Sequence, residues 1–215
     1  MGTVAALTNS KEGVGKTTLA VHLAAWSQER IGRTALVDAD VRGGASLWVR
    51  GASPNTEVFR FLTADEILDQ VPELAVQFDV LVIDGPTGLP EVTRAIVLVA
   101  HLALVPCGRS ASDLRAVYEA IQVLRQARKI RSGPPQMAIV PNMLRTRYRP
   151  RRELSEVLKH LRVPLLRELR FHRAFTDAWE QRTLVWRLGA RAKPAAQDIT
   201  HLLEALGLHG SQTAS

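Results

Sequence analysis

The chain has 215 residues, 46% hydrophobic and 23% charged, which suits one domain with a full core and excludes a fibrous or disordered class. No apolar run approaches the roughly 20 residues of a membrane-spanning helix, and MGTVAALTNS at the start lacks the basic and long apolar segments of a secretory signal. Cys107 is the single cysteine, so a disulfide framework and a multi-cysteine metal or iron–sulfur site within one chain are excluded; the net charge is +7.

Residues 3–9, TVAALTN, form a short apolar run ending in a turn, the pattern of a first strand. Thr17 to about Arg30, rich in Ala and Leu, is predicted as a helix, and TALVDAD (34–40) as a second strand. TADEILDQVPELAVQF (63–78) is predicted helical, with Thr63 three residues before Glu66 as a capping box. FDVLVIDGP (78–86) and LALVPCG (102–108) are near-continuous apolar strands. Ser112 to Lys129 is a long helix with Leu114, Val117, Ile121 and Leu124 on one face. QMAIVPN (136–142) is a strand, Arg151–Arg162 a helix, VPLL (163–166) a short strand, and a last helix spans about Pro194–Leu206. Apolar strands alternating with helices imply an α/β domain, a doubly wound and mostly parallel sheet flanked by helices. It is expected to occupy residues 1–208, with a disordered tail over 209–215. Ligands of such sheets bind at the C-terminal strand ends, where the polar candidates fall.

The run NSKEGVGKTT (9–18) lies between the first strand and the first helix. Gly13 and Gly15 let backbone N–H groups turn inward around phosphates, and the helix N-terminus adds partial positive charge. Lys16 is expected to reach the β and γ phosphates and the Thr17 hydroxyl to ligate Mg²⁺. Asp84 ends the strand VLVID, where a carboxylate commonly holds the Mg²⁺ through water. Asp38 and Asp40 close the second strand; one is expected to face the phosphates and the other to cap a neighbouring element. Asp40, further out, is the expected water-orienting residue and a contributor to the metal site.

K-x-G-x-G-K-T-T, with VDADVRGGASLW and FDVLVIDGP, resembles the ParA/MinD group of deviant-Walker P-loop ATPases, most of all short ParA-type partition and positioning proteins. The likeness covers nearly the whole chain. It implies ATP and Mg²⁺ as cofactors and nucleotide contacts along Lys11, Glu12, Gly13, Val14, Gly15, Lys16, Thr17 and Thr18. It implies that Lys11 is the signature lysine, which crosses a two-fold interface to the partner's ATP, so that homodimerisation depends on ATP. Asp40 matches the group's catalytic aspartate, Asp84 its Mg²⁺-associated aspartate, and Pro141–Asn142 its adenine-packing segment. Position 12 departs from the pattern: Glu12 stands where glycine is usual, and is expected to weaken or retune the ATP sandwich through bulk and like-sign charge. With no obvious general-base Glu beside the site, hydrolysis is expected to be slow and switch-like.

Residues 1–108 hold 8 Lys and Arg against 12 Asp and Glu, and residues 109–215 hold 20 against 9. A basic second half points to a polyanion partner. The densest stretch, LRTRYRPRRELSEVLKHLR (144–162), offers Arg145, Arg147, Arg149, Arg151, Lys159 and Arg162 as non-specific, salt-sensitive DNA contacts. Within it, Leu154, Val157, Leu158 and Leu161 form the buried stripe of the predicted helix. ParA-type relatives bind chromosomal DNA as ATP dimers, which implies a cytoplasmic, nucleoid-associated protein with a ParB-like cargo adaptor. The end DITHLLEALGLHGSQTAS is short and not basic, which argues against a membrane-surface role. Only nine residues precede the loop, so no N-terminal DNA-reading domain is expected. The leading reading is plasmid or chromosome partition. Its alternatives are positioning of a protein organelle on the nucleoid, a metabolic P-loop ligase, and a nucleotide-binding module that Glu12 has made non-hydrolysing.

Overall fold

The computed structural model describes residues 1–108, 110–144, 156 and 158–208. Its strands are β1 (Thr3–Leu7), β2 (Thr34–Asp38), β3 (Glu57–Arg60), β4 (Val80–Asp84), β5 (Leu102–Cys107) and β6 (Gln136–Pro141). Its helices are α1 (Lys16–Arg30), α2 (Gly44–Ala52), α3 (Ala64–Ala75), α4 (Pro90–Val99), α5 (Ala111–Arg131), α6 (Ala174–Glu180) and α7 (Lys193–Glu204). The six strands form one sheet in the order β3-β2-β4-β1-β5-β6, with every pairing parallel.

Period-two alternation sorts the strand residues onto two buried faces. Ala5, Leu7, Leu36, Val80, Val82 and Leu104 pack with α1, α2 and α7. Val4, Ala6, Ala35, Val37, Leu81 and Ile83 pack with α3 and α4. Further along the sheet, Val105 and Ile139 meet α5 through Val117, Ile121 and Leu124. The register sets Leu7 beside Asp84 and Asp84 beside Asp38, so three strand ends finish at one level. That level is the floor of the candidate site.

The capping box of α3 is present as the sequence predicts: Glu66 N–H donates to Thr63 Oγ1 and the Glu66 carboxylate accepts from Thr63 N–H. VPLL is not a strand. It makes one parallel bridge, Leu165 beside Ile139, because Pro164 has no N–H to donate and the run is too short for a ladder. Most of the predicted 151–162 helix lies outside the described residues. Leu158 and Lys159 are helical, while Arg162 has a left-handed φ of 53° and stands beyond that helix.

His22, on α1, is fully buried among Trp48, Phe175 and Trp186, with ring centroids 5.3–5.6 Å away. With its proton on Nδ1 it donates to Thr18 O at 2.7 Å, and Nε2 accepts from Val185 N–H at 3.3 Å. Burial pushes its pKa down to about 4. A depressed histidine stays neutral in the fold while the unfolded chain takes up the proton, so its contribution to stability falls as the pH drops from 6.5 toward 4. Relative to His22→Asn, the wild-type chain is expected to lose about 2 kcal/mol between pH 7 and pH 5, measured by urea unfolding of both chains at each pH. Equal pH dependence of the two chains would contradict this.

Candidate nucleotide site

The turn between β1 and α1 opens with Asn9, whose Oδ1 accepts from Lys11 N–H at 2.8 Å and whose Nδ2 donates to Pro106 O at 2.8 Å. Gly13 and Gly15 have φ of 74° and 91°. A Cβ on Gly15 would lie 2.3 Å from Asn142 Nδ2, so glycine is required there for space as well as for angle. Asn142 Nδ2 donates to Val14 O at 2.8 Å, and its Oδ1 accepts from Met143 N–H. Its amide therefore braces the loop. Asn142 lines the cavity, whereas Pro141 and Val14 are buried and do not line it.

Lys16 begins α1 and is only 7% exposed. Its Nζ donates to Lys11 O at 3.1 Å and Thr87 Oγ1 at 2.9 Å. Burial holds its pKa below the usual lysine range, partly offset by Asp84, Asp40 and Glu12. Thr17 Oγ1 donates to Asp84 Oδ2 at 2.7 Å. Asp84 Oδ1 is buried and has no hydrogen-bond partner among the described residues. Burial raises the Asp84 carboxyl to about 7, against the opposing Thr17 hydrogen bond.

A buried carboxylate oxygen without a partner, beside a threonine hydroxyl, fits a hard divalent cation. No cluster of three or more His, Cys, Asp or Glu that would complete a metal site by itself exists among the described residues. Mg²⁺ would therefore take most of its ligands from phosphate and water, with Thr17 and Asp84 as the protein's share.

Asp38 and Asp40 divide their tasks because β2 ends between them. Asp38 is buried, and its Oδ2 accepts from Ser46 N–H at 2.8 Å in the first turn of α2. Its Oδ1 accepts from Asp40 N–H at 3.2 Å. Asp40 lies in the following turn, lines the cavity, and accepts from Arg42 N–H at 3.0 Å.

The cavity measures about 700 Å³. Its lining includes the glycine loop, Lys16, Thr17 and Thr18, together with the aromatic side chains Phe171, Phe175 and Trp179. A polar anion seat and aromatic rings in one cavity suit a nucleotide. Arg170 and His172 on that rim are both tied to Asp198 of α7, at 2.8 Å for each contact.

Lys11 Nζ faces its own chain: Asp113 Oδ1 at 2.5 Å, Ser112 Oγ at 2.8 Å and Ser110 Oγ at 3.0 Å, all at the start of α5. Glu12 pairs with Arg42 across the cavity mouth. Thr87, Arg42, Ser110 and Asp113 escape the sequence reading, because each is brought to the loop by the fold. Arg42 alone carries a signal, two residues beyond Asp40. Of the candidate DNA contacts, Arg145, Arg147, Arg149 and Arg151 lie outside the described residues. Lys159 Nζ is bound to Glu156 at 2.7 Å.

Residues 5–185 match the family described as CobQ/CobB/MinD/ParA nucleotide binding domain. The chain belongs to that family. It is 30% identical to the maintenance of carboxysome distribution protein A of Halothiobacillus neapolitanus over 204 residues, covering 92% of this chain and 93% of the relative. The protein of the same name from Gloeobacter kilaueensis is also 30% identical, over 94% of this chain and 93% of its own length. Among solved structures, the fold is similar to a Cyanothece McdA–ATP complex (TM-score 0.83, 14% identity, 96% of this chain and 97% of that one). It is also similar to MinD in the MinC:MinD complex of Aquifex aeolicus (TM-score 0.77, 16% identity, 96% of each chain). A cobyrinic acid a,c-diamide synthase from Mycobacterium smegmatis, with bound ATP analog and magnesium, superimposes at TM-score 0.75 and 18% identity, over 99% of this chain and 100% of that one. Family members are P-loop ATPases. No helix among the described residues is long and apolar enough to cross a membrane.

Proposed function

We propose that this protein is a ParA-type positioning ATPase whose cargo is a protein organelle of the carboxysome kind. The observation that carries the reading is the likeness, over more than nine-tenths of both chains, to proteins named for carboxysome distribution. Plasmid or chromosome partition is the weaker reading, since neither relative is named for it. In the proposed cycle Lys16 and the loop amides hold the phosphates, and Thr17 and Asp84 hold Mg²⁺. Asp40 orients the attacking water, and two chains close on two ATPs. The cation supplies charge neutralisation at the transferring phosphoryl group when bound. The ATP dimer then holds non-specific DNA through its basic half and meets cargo through an adaptor protein.

Two measurements test this. Binding to random-sequence duplex DNA is read without nucleotide, with ADP and with ATP–Mg²⁺, at two salt concentrations. Binding only with ATP, lost at higher salt, is expected. Equal binding in all three states would uncouple the basic surface from the nucleotide. In the source cell, deletion of the gene should cluster the organelle and leave plasmid inheritance unchanged. Plasmid loss with evenly spaced organelles would restore the partition reading.

A further inference from the structure

Glu12 occupies the position that the resemblance gives to glycine, and its side chain does not hang free. Its carboxylate meets the guanidinium of Arg42, 30 residues away in sequence. The pair joins two loops that sequence does not connect: the phosphate loop and the turn that carries Asp40. Glu12, Asp40 and Arg42 all line the cavity. The same Arg42 holds Asp40 through its backbone, N–H to Asp40 Oδ1 at 3.0 Å. Arg60, at the end of β3, holds the other side of the turn by donating to Asp40 O at 3.3 Å and Val41 O at 3.0 Å. Asp40 is thus gripped by β3 from one side and tied to the phosphate loop from the other.

The charges explain why the tie tolerates a glutamate beside the phosphates. An unanswered carboxylate there would repel a triphosphate. Arg42 answers it within the same chain. We propose that Glu12 and Arg42 are a positioning pair: together they fix the Asp40 turn against the phosphate loop, and Arg42 prevents Glu12 from opposing ATP. The inference rests on the proposed ATPase function and assigns neither residue a chemical step. Both side chains are more than 60% exposed, so the pair acts by orientation and charge balance rather than by stabilising the fold.

The test uses the full chain as wild type, E12G, R42A, the double variant E12G/R42A, and E12Q. Fluorescent ATP-analogue binding with Mg²⁺ is measured alongside steady-state kcat and KM. R42A is expected to weaken nucleotide binding about fivefold, the upper range for an exposed pair, because Glu12 is left facing the phosphates. The double variant is expected to return to within about twofold of wild type, since the repelling group is gone as well. E12G alone is expected to bind nucleotide as well as wild type while kcat falls about tenfold, because the Asp40 turn has lost its tie. E12Q, which keeps an acceptor for Arg42, should retain more kcat than E12G. Additive binding effects, or an unchanged kcat in E12G, overturn the pair. A wild-type chain that binds no nucleotide sinks the function and the pair together. A wild-type chain that binds and hydrolyses ATP with additive variants sinks the pair alone.

Discussion

Lys16→Ala should weaken ATP binding and hydrolysis together, lowering kcat/KM by a factor on the order of 10²–10³. The lysine is almost fully buried, and its ammonium rests on Lys11 O and Thr87 Oγ1, two neutral acceptors. Neither supplies a full counter-charge. Burial disfavours the charged form, and Asp84, Asp40 and Glu12 offset it only in part, so the ammonium lacks a direct anionic partner until phosphates arrive. Lys16→Arg should not rescue, because a planar five-donor fork cannot replace a compact ammonium in so closed a seat. The same reasoning gives stability the opposite sign. Removing a buried, weakly compensated cation should leave the nucleotide-free chain as stable as wild type or more so. Urea unfolding and ATP-analogue titration of one preparation separate the two effects. Wild-type ATP affinity in Lys16→Ala would remove the loop from the nucleotide site.

The sheet and the phosphate loop were legible because each rests on local chemistry. Strands apolar on both faces announce a covered parallel sheet, and glycines between a strand and a helix announce an anion seat. Thr63 and Glu66 marked their helix start by a three-residue spacing that the structure reproduces. What was illegible depends on distance in sequence. β3 is four residues, EVFR, with exposed ends at a sheet edge, so no apolar run betrays it. α2 opens at Gly44 with a left-handed Gly43 before it and no side-chain cap. VPLL looked like a strand because periodicity sees apolar residues and not how short their pairing is, a single bridge to Ile139. At Asn142 the fold adds a task that no sequence pattern announces. The resemblance gives Pro141–Asn142 an adenine-packing role, and the Asn142 amide also braces the phosphate loop through Val14 O and Met143 N–H. Glu12 could be read as an anomaly but not as half of a pair, since Arg42 reaches it only through the fold.

Lys11→Ala should abolish ATP-dependent dimerisation while leaving nucleotide binding by the single chain within about threefold. The second half follows from where Lys11 stands: its ammonium points to the start of α5 and lines no part of the cavity. The first half follows from the role that the family resemblance gives this lysine. A lysine has three N–H donors, and Asp113, Ser112 and Ser110 take all three. If Lys11 acts on a second chain, as the resemblance implies, this latch has to open first, and it is expected to oppose the dimer. Burial works to raise the Asp113 carboxyl, but hydrogen bonds from Lys11 and Ser110 outweigh it and hold it below the usual range, so the latch stays charged at neutral pH. Asp113→Asn should keep the cap of α5, because an amide oxygen still accepts from Ser110 N–H, while removing the charge that retains Lys11. With about 1 kcal/mol at stake in each of the two latches that a dimer opens, half-dimerisation should come at about 30-fold lower protein concentration in saturating ATP–Mg²⁺. Sedimentation of the three chains with ADP and with ATP decides it. If Asp113→Asn dimerises at the wild-type concentration, the latch does not oppose assembly. If Lys11→Ala dimerises like wild type, the lysine does not act across the interface, whatever its spacing from Lys16.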